Sequence, residues 1–324
     1  MKKNAQFVSL IFAILIVSLF LSPAAAQAFW QETSPDQIQI GAMKGPTGMG
    51  LVQLMESDQY AFTLTGTSDE IVTGIVGGKL DAAAVPCNLA SVLFNKTEGK
   101  IKVAAVNTLG VLYILDSGDS IQTVQDLKGK TLYTTGKGTS PEFVLRHILK
   151  ENKIDPDKDL TVEFKSESAE IAAMFGAGQE IIALLPQPFV TTVQLQNPDV
   201  RIALDMTAEW KSIHPDSQLI TGCLIVRNDF AAENQPAFSE LLSNYAKSVE
   251  FVNEDSEEAA ALIEKHGILP KAALALKAIP YCNITLIRNA EMQGLVQDYL
   301  SVLFDAEPKS VGGALPDDSF YYKE

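Results

Sequence analysis

The sequence predicts an α/β protein of two related lobes, each a mostly parallel sheet flanked by helices, joined by a two-segment hinge. Three observations predict it. The stretch TSDEIVTGIVGGKLDAAAVPCN (67–88) recurs without a gap, one hundred residues on, as ESAEIAAMFGAGQEIIALLPQP (167–188). Glu70 then meets Glu170, Gly78 meets Gly178 and Pro86 meets Pro186. A strand, glycine loop and helix precede each copy. Two long β-rich runs, KIKVAAVNTLGVLYIL (100–115) and SQLITGCLIVRNDF (217–230), lie where the chain must leave the first lobe and later return.

The elements follow in order. Lys2 and Lys3, the apolar run FVSLIFAILIVSLFL and the small residues SPAAAQA have the form of a secretory signal over 1–28, cleaved after Ala26 or Ala28. No cysteine follows the apolar run, so no lipid attachment is expected. IQIGAM is the first strand, and KGPTGMG leads it into a helix. The repeated unit begins with a polar start at Ser68, where Thr67-x-x-Glu70 has the form of a capping box. Apolar residues then recur at helical spacing, and a short strand ends in the proline loop VPCN. The second lobe repeats this plan through KTLYTTGKGTSPEFVLRHIL to the loop LPQP. After the return come the helical patterns FSELLSNYAKSVEFVNE, SEEAAALIEKHGI and AEMQGLVQDYLSVLF, which must cover the first lobe because the second already has its helices. The expected lobes are 29–115 with 225–324, and 116–224.

Composition excludes several classes. The chain has 25 basic and 40 acidic residues, a formal charge of −15 that becomes −17 without Lys2 and Lys3. Such an acidic surface argues against nucleic acid or an anionic membrane as partner. Cys87, Cys223 and Cys282 allow one disulfide at most, and buried unpaired thiols are the expectation. His147, His214 and His266 fall in or near helical patterns without an adjacent partner, so neither a metal site nor a catalytic thiol is expected. GAMKGPTGMG lacks Gly-Lys-Ser/Thr at P-loop spacing, and GKGTSP carries proline where the dinucleotide fingerprint needs glycine. No cofactor is expected.

In an open parallel sheet ligands bind beyond the carboxyl ends of the strands, where the glycine and proline loops fall here. The first loop supplies Lys44, Gly45, Pro46, Thr47, Gly48 and Met49; its counterpart supplies Lys137, Gly138, Thr139 and Ser140. Both open helices, whose first N–H groups lack partners within the helix. The proline loops add Pro86, Cys87 and Asn88 from one lobe and Pro186, Gln187 and Pro188 from the other. Ser68, Asn107 and Thr108 are further candidates, and Thr221 lies at the return crossing. Trp210 either stacks on a flat ligand or packs in the core.

The segments IGAMKGPTGMG, GGKLDAAAVPCNLA, DLKGKTLYTTGKGTSPE, LLPQPFV and SVGGALPDDSFYY, in this order, resemble ABC-transporter substrate-binding proteins of the type II periplasmic-binding-protein kind. The likeness is to the branch that includes sulfonate/taurine and thiamine-pyrimidine-precursor binders. It spans nearly the whole mature chain. The resemblance implies an exported, periplasmic monomer whose lobes close on a small molecule and then dock on a membrane permease with its ATPase. Helix N-termini favour anions, yet no arginine falls in any predicted pocket loop and Glu142 would oppose an anion. The expected ligand is a neutral or weakly charged heterocyclic or amide-bearing molecule, with a small organic anion such as a sulfonate or carboxylate as the alternative. The same fold also serves enzymes of menaquinone and thiamine pathways, a second alternative that the signal segment and the lack of a base in the cleft loops oppose.

Overall fold

The computed structural model describes residues 37–323, so the expected signal segment, 1–28, lies outside the described residues. Numbering strands in chain order, the first sheet holds β1 (Ile38–Met43), β2 (Tyr60–Thr65), β3 (Ala82–Pro86), β4 (Ile101–Leu109), β10 (Ile220–Arg227) and β11 (Ile284–Ile287), in the order β11-β4-β10-β3-β1-β2. The second holds β5 (Leu112–Asp116), β6 (Thr131–Thr134), β7 (Thr161–Phe164), β8 (Ile182–Pro186) and β9 (Arg201–Asp205), in the order β7-β6-β8-β5-β9. The sheets share one plan. The triplets β2-β1-β3 and β7-β6-β8 are parallel, and a strand delivered by a crossing lies antiparallel beside each: β10 on β3, β5 on β8. This is the two-lobed α/β architecture that the repeat predicts.

The repeat is literal in the elements. The helices α2 (Ser68–Val76) and α5 (Ser168–Gly176), like β3 and β8, begin and end on equivalent residues to within a position. Small residues explain the central strand of the first lobe. Ala82, Ala83 and Ala84 are wholly buried, because β3 is covered on both faces and bulkier side chains would hold the layers apart.

The other helices are α1 (Pro46–Met49), α3 (Cys87–Lys96), α4 (Ser140–Glu151), α6 (Phe189–Gln196), α7 (Met206–Ile213), α8 (Asn228–Glu233), α9 (Gln235–Glu254), α10 (Ser256–Lys265), α11 (Ala272–Ala278) and α12 (Asn289–Ala306). As expected, α9 to α11 cover the first sheet: Leu241, Leu242, Tyr245, Val252 and Ile263 form one core with Ile40, Leu224 and Val226. The second lobe packs Ile171 and Phe175 of α5 and Val190 and Val193 of α6 on Leu115, Ala183 and Leu185. From α12, Tyr299 reaches the second lobe, its ring 5.4 Å from Trp210 on α7. No helix among the described residues is long and apolar enough to cross a membrane.

Three expectations need correction. The lobe bounds at 115 and 224 fall inside strands: β5 lies wholly in the second sheet and β10 wholly in the first, so the chain crosses at Gly110–Val111 and again just before Ile220. The Thr67-x-x-Glu70 capping box does not form. Thr67 caps α2 without a side-chain hydrogen bond, and its carbonyl accepts from the Thr65 hydroxyl instead. Nor are the histidines without partners: Nε2 of His147 and of His214 lie 2.7 Å apart, and His266 meets Glu56.

Candidate functional site

The carboxyl ends of β1, β3 and β4 and the start of β10 converge at one end of the first sheet, and the loops there carry the predicted residues. Gly222 on β10 is the centre of this floor. A methyl group at its Cα would lie 2.5 Å from Asn107 Oδ1, 2.7 Å from Thr47 Cγ2 and 3.1 Å from Thr108 Cβ. The missing side chain is what lets three predicted residues gather there. Asn107 is wholly buried, and its Oδ1 accepts from the Thr108 hydroxyl at 3.2 Å while its Nδ2 has no partner. Beneath it, the buried hydroxyl of Tyr245 lies against the Asn107 side chain. Thr221 ties the crossings together, its hydroxyl donating to the Leu109 carbonyl at 2.5 Å. Asn283, which no sequence pattern marks, adds a second tie by donating to the Gly110 carbonyl at 2.5 Å.

The lobes meet beside this floor. Ser140, at the start of α4, donates its hydroxyl to Asn88 Oδ1 at 3.0 Å, and Asn88 Nδ2 donates to the Ser310 carbonyl at 2.9 Å. Asn88 and Ser140 are both buried. Thus the proline loop of the first lobe and the glycine loop of the second are joined directly. Next to them lies the Cys87 thiol, in hydrogen-bonding contact with the Cys223 thiol, whose ionisation is pushed well up by burial and then by Cys87. All three cysteines are buried and free, as expected. At the rim, the Glu167 carboxylate approaches Gly66, so that a methyl group at Gly66 would lie 2.9 Å from it.

Not every predicted residue faces this region as a donor. Lys44 is exposed, Gly45 and Pro46 form the turn into α1, and Gly48 is glycine because a Cβ would meet the Met43 carbonyl at 2.6 Å. Met49 is wholly buried in the first-lobe core, a correction, since its side chain turns away with the apolar face of the turn. In the second lobe the Gly138 N–H donates to the Glu142 carboxylate at 2.7 Å, and the Thr139 hydroxyl donates to the Gly136 carbonyl. Lys137 lies over the Phe164 ring at 5.6 Å. Gln187, though buried, spends its Oε1 on the N–H and hydroxyl of Thr191, while Pro186 ends β8 and Pro188 is the residue that caps the start of α6. Ser68 is half-buried at the start of α2; its counterpart Ser168 is 3.1 Å from the Thr135 hydroxyl.

Trp210 takes the second of its two expected roles and leaves the candidate ligand contacts. It is wholly buried, with its ring 5.4 Å from His147, 5.2 Å from His214 and 5.4 Å from Tyr299, and its indole N–H donates to Ser217 Oγ at 3.3 Å. Its neighbours are core side chains. Burial, and then the His214 ring, hold the His147 imidazole below its usual range, with Glu151 and Lys150 acting in opposite senses. Because the folded state prefers the neutral ring, this contribution is complete above about pH 6.5 and is lost as pH falls below it. Urea titrations from pH 7 to 5 should therefore show a shallower loss of stability in His147→Gln than in the wild type.

At the hinge end of the second sheet, Asp205 caps α7 by accepting from the Thr207 N–H at 2.8 Å. Burial and then Asp205 push the Tyr113 phenol up to about 12, and the same two causes raise Glu209. Among the described residues no group of three or more His, Cys, Asp or Glu is placed to hold a metal ion.

Comparison with known proteins agrees with this geometry. Residues 101–259 match the family described as NMT1/THI5 like. A candidate binding protein of Brucella abortus (strain 2308) is 24% identical over 186 residues, which span 57% of this chain and 56% of that protein. An ABC transporter protein of Parabacteroides distasonis superposes with a TM-score of 0.73 at 22% identity, over 89% of this chain and 99% of that one. The periplasmic aliphatic sulphonate binding protein SsuA of Escherichia coli does so with a TM-score of 0.70 at 19% identity, over 90% and 93%. The chain thus has the two-lobed type II periplasmic-binding-protein fold that the sequence resemblance implies.

Proposed function

We propose that this chain is the exported solute-binding component of an ABC importer. In this reading its lobes close on a small polar organic ligand, heterocyclic or amide-bearing, and deliver it as a monomer to a membrane permease worked by ATPase subunits. The observation that carries the reading is the buried Ser140–Asn88 hydrogen bond, made between strand-end loops of two sheets with one plan. It stands next to a floor of hydroxyls and amides from Thr47, Asn107, Thr108 and Thr221. The ligand does not react in this account: Cys87 faces a second thiol rather than a base.

The charge pattern supports a neutral ligand over an anion. Glu142 occupies the Gly138 N–H that an anion would need in the second lobe, and a buried anion without a cation is costly. A sulfonate is the second reading, favoured by the likeness to the Escherichia coli sulphonate binder and by the exposed Lys44 at the mouth of the first loop.

Thermal-shift titration tests both. A low-molecular-mass filtrate of yeast extract should raise Tm by several degrees, since a ligand at a hundredfold excess over Kd adds about 2.7 kcal/mol. Uracil or nicotinamide should reproduce the shift and ethanesulfonate should not. A shift with ethanesulfonate alone would replace the neutral ligand by an anion. No shift with the filtrate or any of the three would remove the solute-binding reading.

A further inference from the structure

His147 and His214 form a titratable pair that the cleft chemistry leaves unused. Their ring planes lie within 23° of parallel with centroids 4.9 Å apart, and Nε2 faces Nε2 at 2.7 Å, so the imidazoles meet edge to edge. At that distance one Nε2 carries a proton and donates it, and the other accepts. A first added proton can go to the free Nδ1 of the donor ring and leave this bond in place. A second makes both rings imidazolium, and sets two N–H donors and two like charges against each other. What the bond joins gives this chemistry a use. His147 lies in α4, about two turns after Ser140, whose hydroxyl makes the interlobe hydrogen bond to Asn88. His214 follows α7 and begins the segment that returns to the first lobe at β10. That segment folds back on the pair: the Ser217 N–H donates to the His214 carbonyl at 3.1 Å, and Ser217 Oγ accepts from the Trp210 indole at 3.3 Å. The bond therefore ties the return crossing of the hinge to the helix that reaches the other lobe.

The surrounding charges leave the pair to set its own response. On α4, Glu151 and Lys150 act on His147 in opposite senses, and Arg146 is paired with Asp157. Beside His214, Lys211 and Asp216 are exposed. From α12 the Tyr299 phenol reaches Trp210, and burial keeps it neutral by pushing its ionisation up. We propose that the His147–His214 pair is an acid-released clamp on the hinge. Near neutral pH it holds the return segment to α4; in acid it lets the segment go, and closure of the lobes on a solute weakens. The link to solute rests on the solute-binding reading above, whereas the clamp itself does not. Burial, and then His214, already hold His147 below its usual range, so the release runs downward from about pH 6.5.

Amide hydrogen exchange without any ligand tests the clamp. After correction for the intrinsic pH dependence of exchange, residues 210–220 should lose about tenfold or more of their protection between pH 7.5 and 5.0, since one unit of pKa difference is a factor of ten in opening. His147→Gln, whose amide can still donate to His214 but takes up no proton, should lose less than about threefold. The distant helix α9 should keep its protection in both proteins. Should His147→Gln fold poorly by circular dichroism, His214→Gln, at the less buried position, gives the same comparison. No loss in the wild type, an equal loss in the folded variants, or an equal loss in α9 would each overturn the clamp. Thermal shift with yeast-extract filtrate at the same two pH values tests the link to solute. The shift should shrink at pH 5.0 in the wild type and not in His147→Gln, and an undiminished wild-type shift would overturn that link. No shift at either pH would remove the solute-binding reading instead, and the exchange comparison would still decide the clamp.

Discussion

Replacing Trp210 by alanine should lower stability by about 3–5 kcal/mol, the usual cost of emptying a buried aromatic site. The indole is wholly buried among His147, His214 and Tyr299, so three ring systems lose their common neighbour and Ser217 loses its donor. The effect should exceed a local cavity, because Tyr299 belongs to α12 and Trp210 to α7: the ring fastens the terminal helix to the second lobe. Urea denaturation should show a reduced midpoint, and Tm should fall by about 10 °C. Trp210→Phe, which keeps most of the packing, should lose far less. If instead the alanine variant kept its midpoint and lost the thermal shift given by ligand, the residue would be a stacking platform and the packing account would be wrong.

Gly222→Val should be the most damaging change at the cleft floor. Its Cβ would meet Asn107 Oδ1 at 2.5 Å and Thr47 Cγ2 at 2.7 Å, separations at which atoms must move. Two considerations compete. Valine suits a strand better than glycine, but overpacking a buried site costs about 1–3 kcal/mol. The second prevails because Thr108 Cβ, at 3.1 Å, sits on a strand paired to β10 and cannot swing aside. Displacing Asn107 and Thr47 should also weaken ligand binding by about tenfold or more, the worth of one misplaced polar contact. Gly222→Ala should give the same signs at smaller size. Wild-type Tm and wild-type ligand response in the valine variant would show that the floor is elsewhere.

How much of this was legible depends on whether the signal was local. The repeat could be read because equal spacing forces equal elements: one hundred residues separate the starts of α2 and α5, and of β3 and β8. Asn107, Thr108 and Thr221 could be placed near the cleft because strand ends are visible as changes of hydrophobic pattern. What could not be read was the use each side chain makes of its hydrogen bonds. Gln187, Thr139 and Gly138 occur in loops of the right kind, yet their polar atoms are spent on Thr191, Gly136 and Glu142. Long-range partners were equally hidden. Nothing in the sequence joins His147 to His214, or brings Asn283 and Tyr245 from distant elements to the floor. The crossing points were missed by a few residues because β5 and the end of β4 are both continuous apolar runs, and only the pairing shows which sheet each joins.

The most direct test of hinged closure is a distance between the lobes. Spin labels at Asp69→Cys and Ala169→Cys, exposed equivalents near the starts of α2 and α5, report on the rim where Gly66 meets Glu167, and the three native thiols are buried. Pulsed electron resonance should give two separations in the free protein or one long one, with the short separation growing as yeast-extract filtrate is added. A single separation, the same with and without filtrate, would contradict closure of two lobes on a solute.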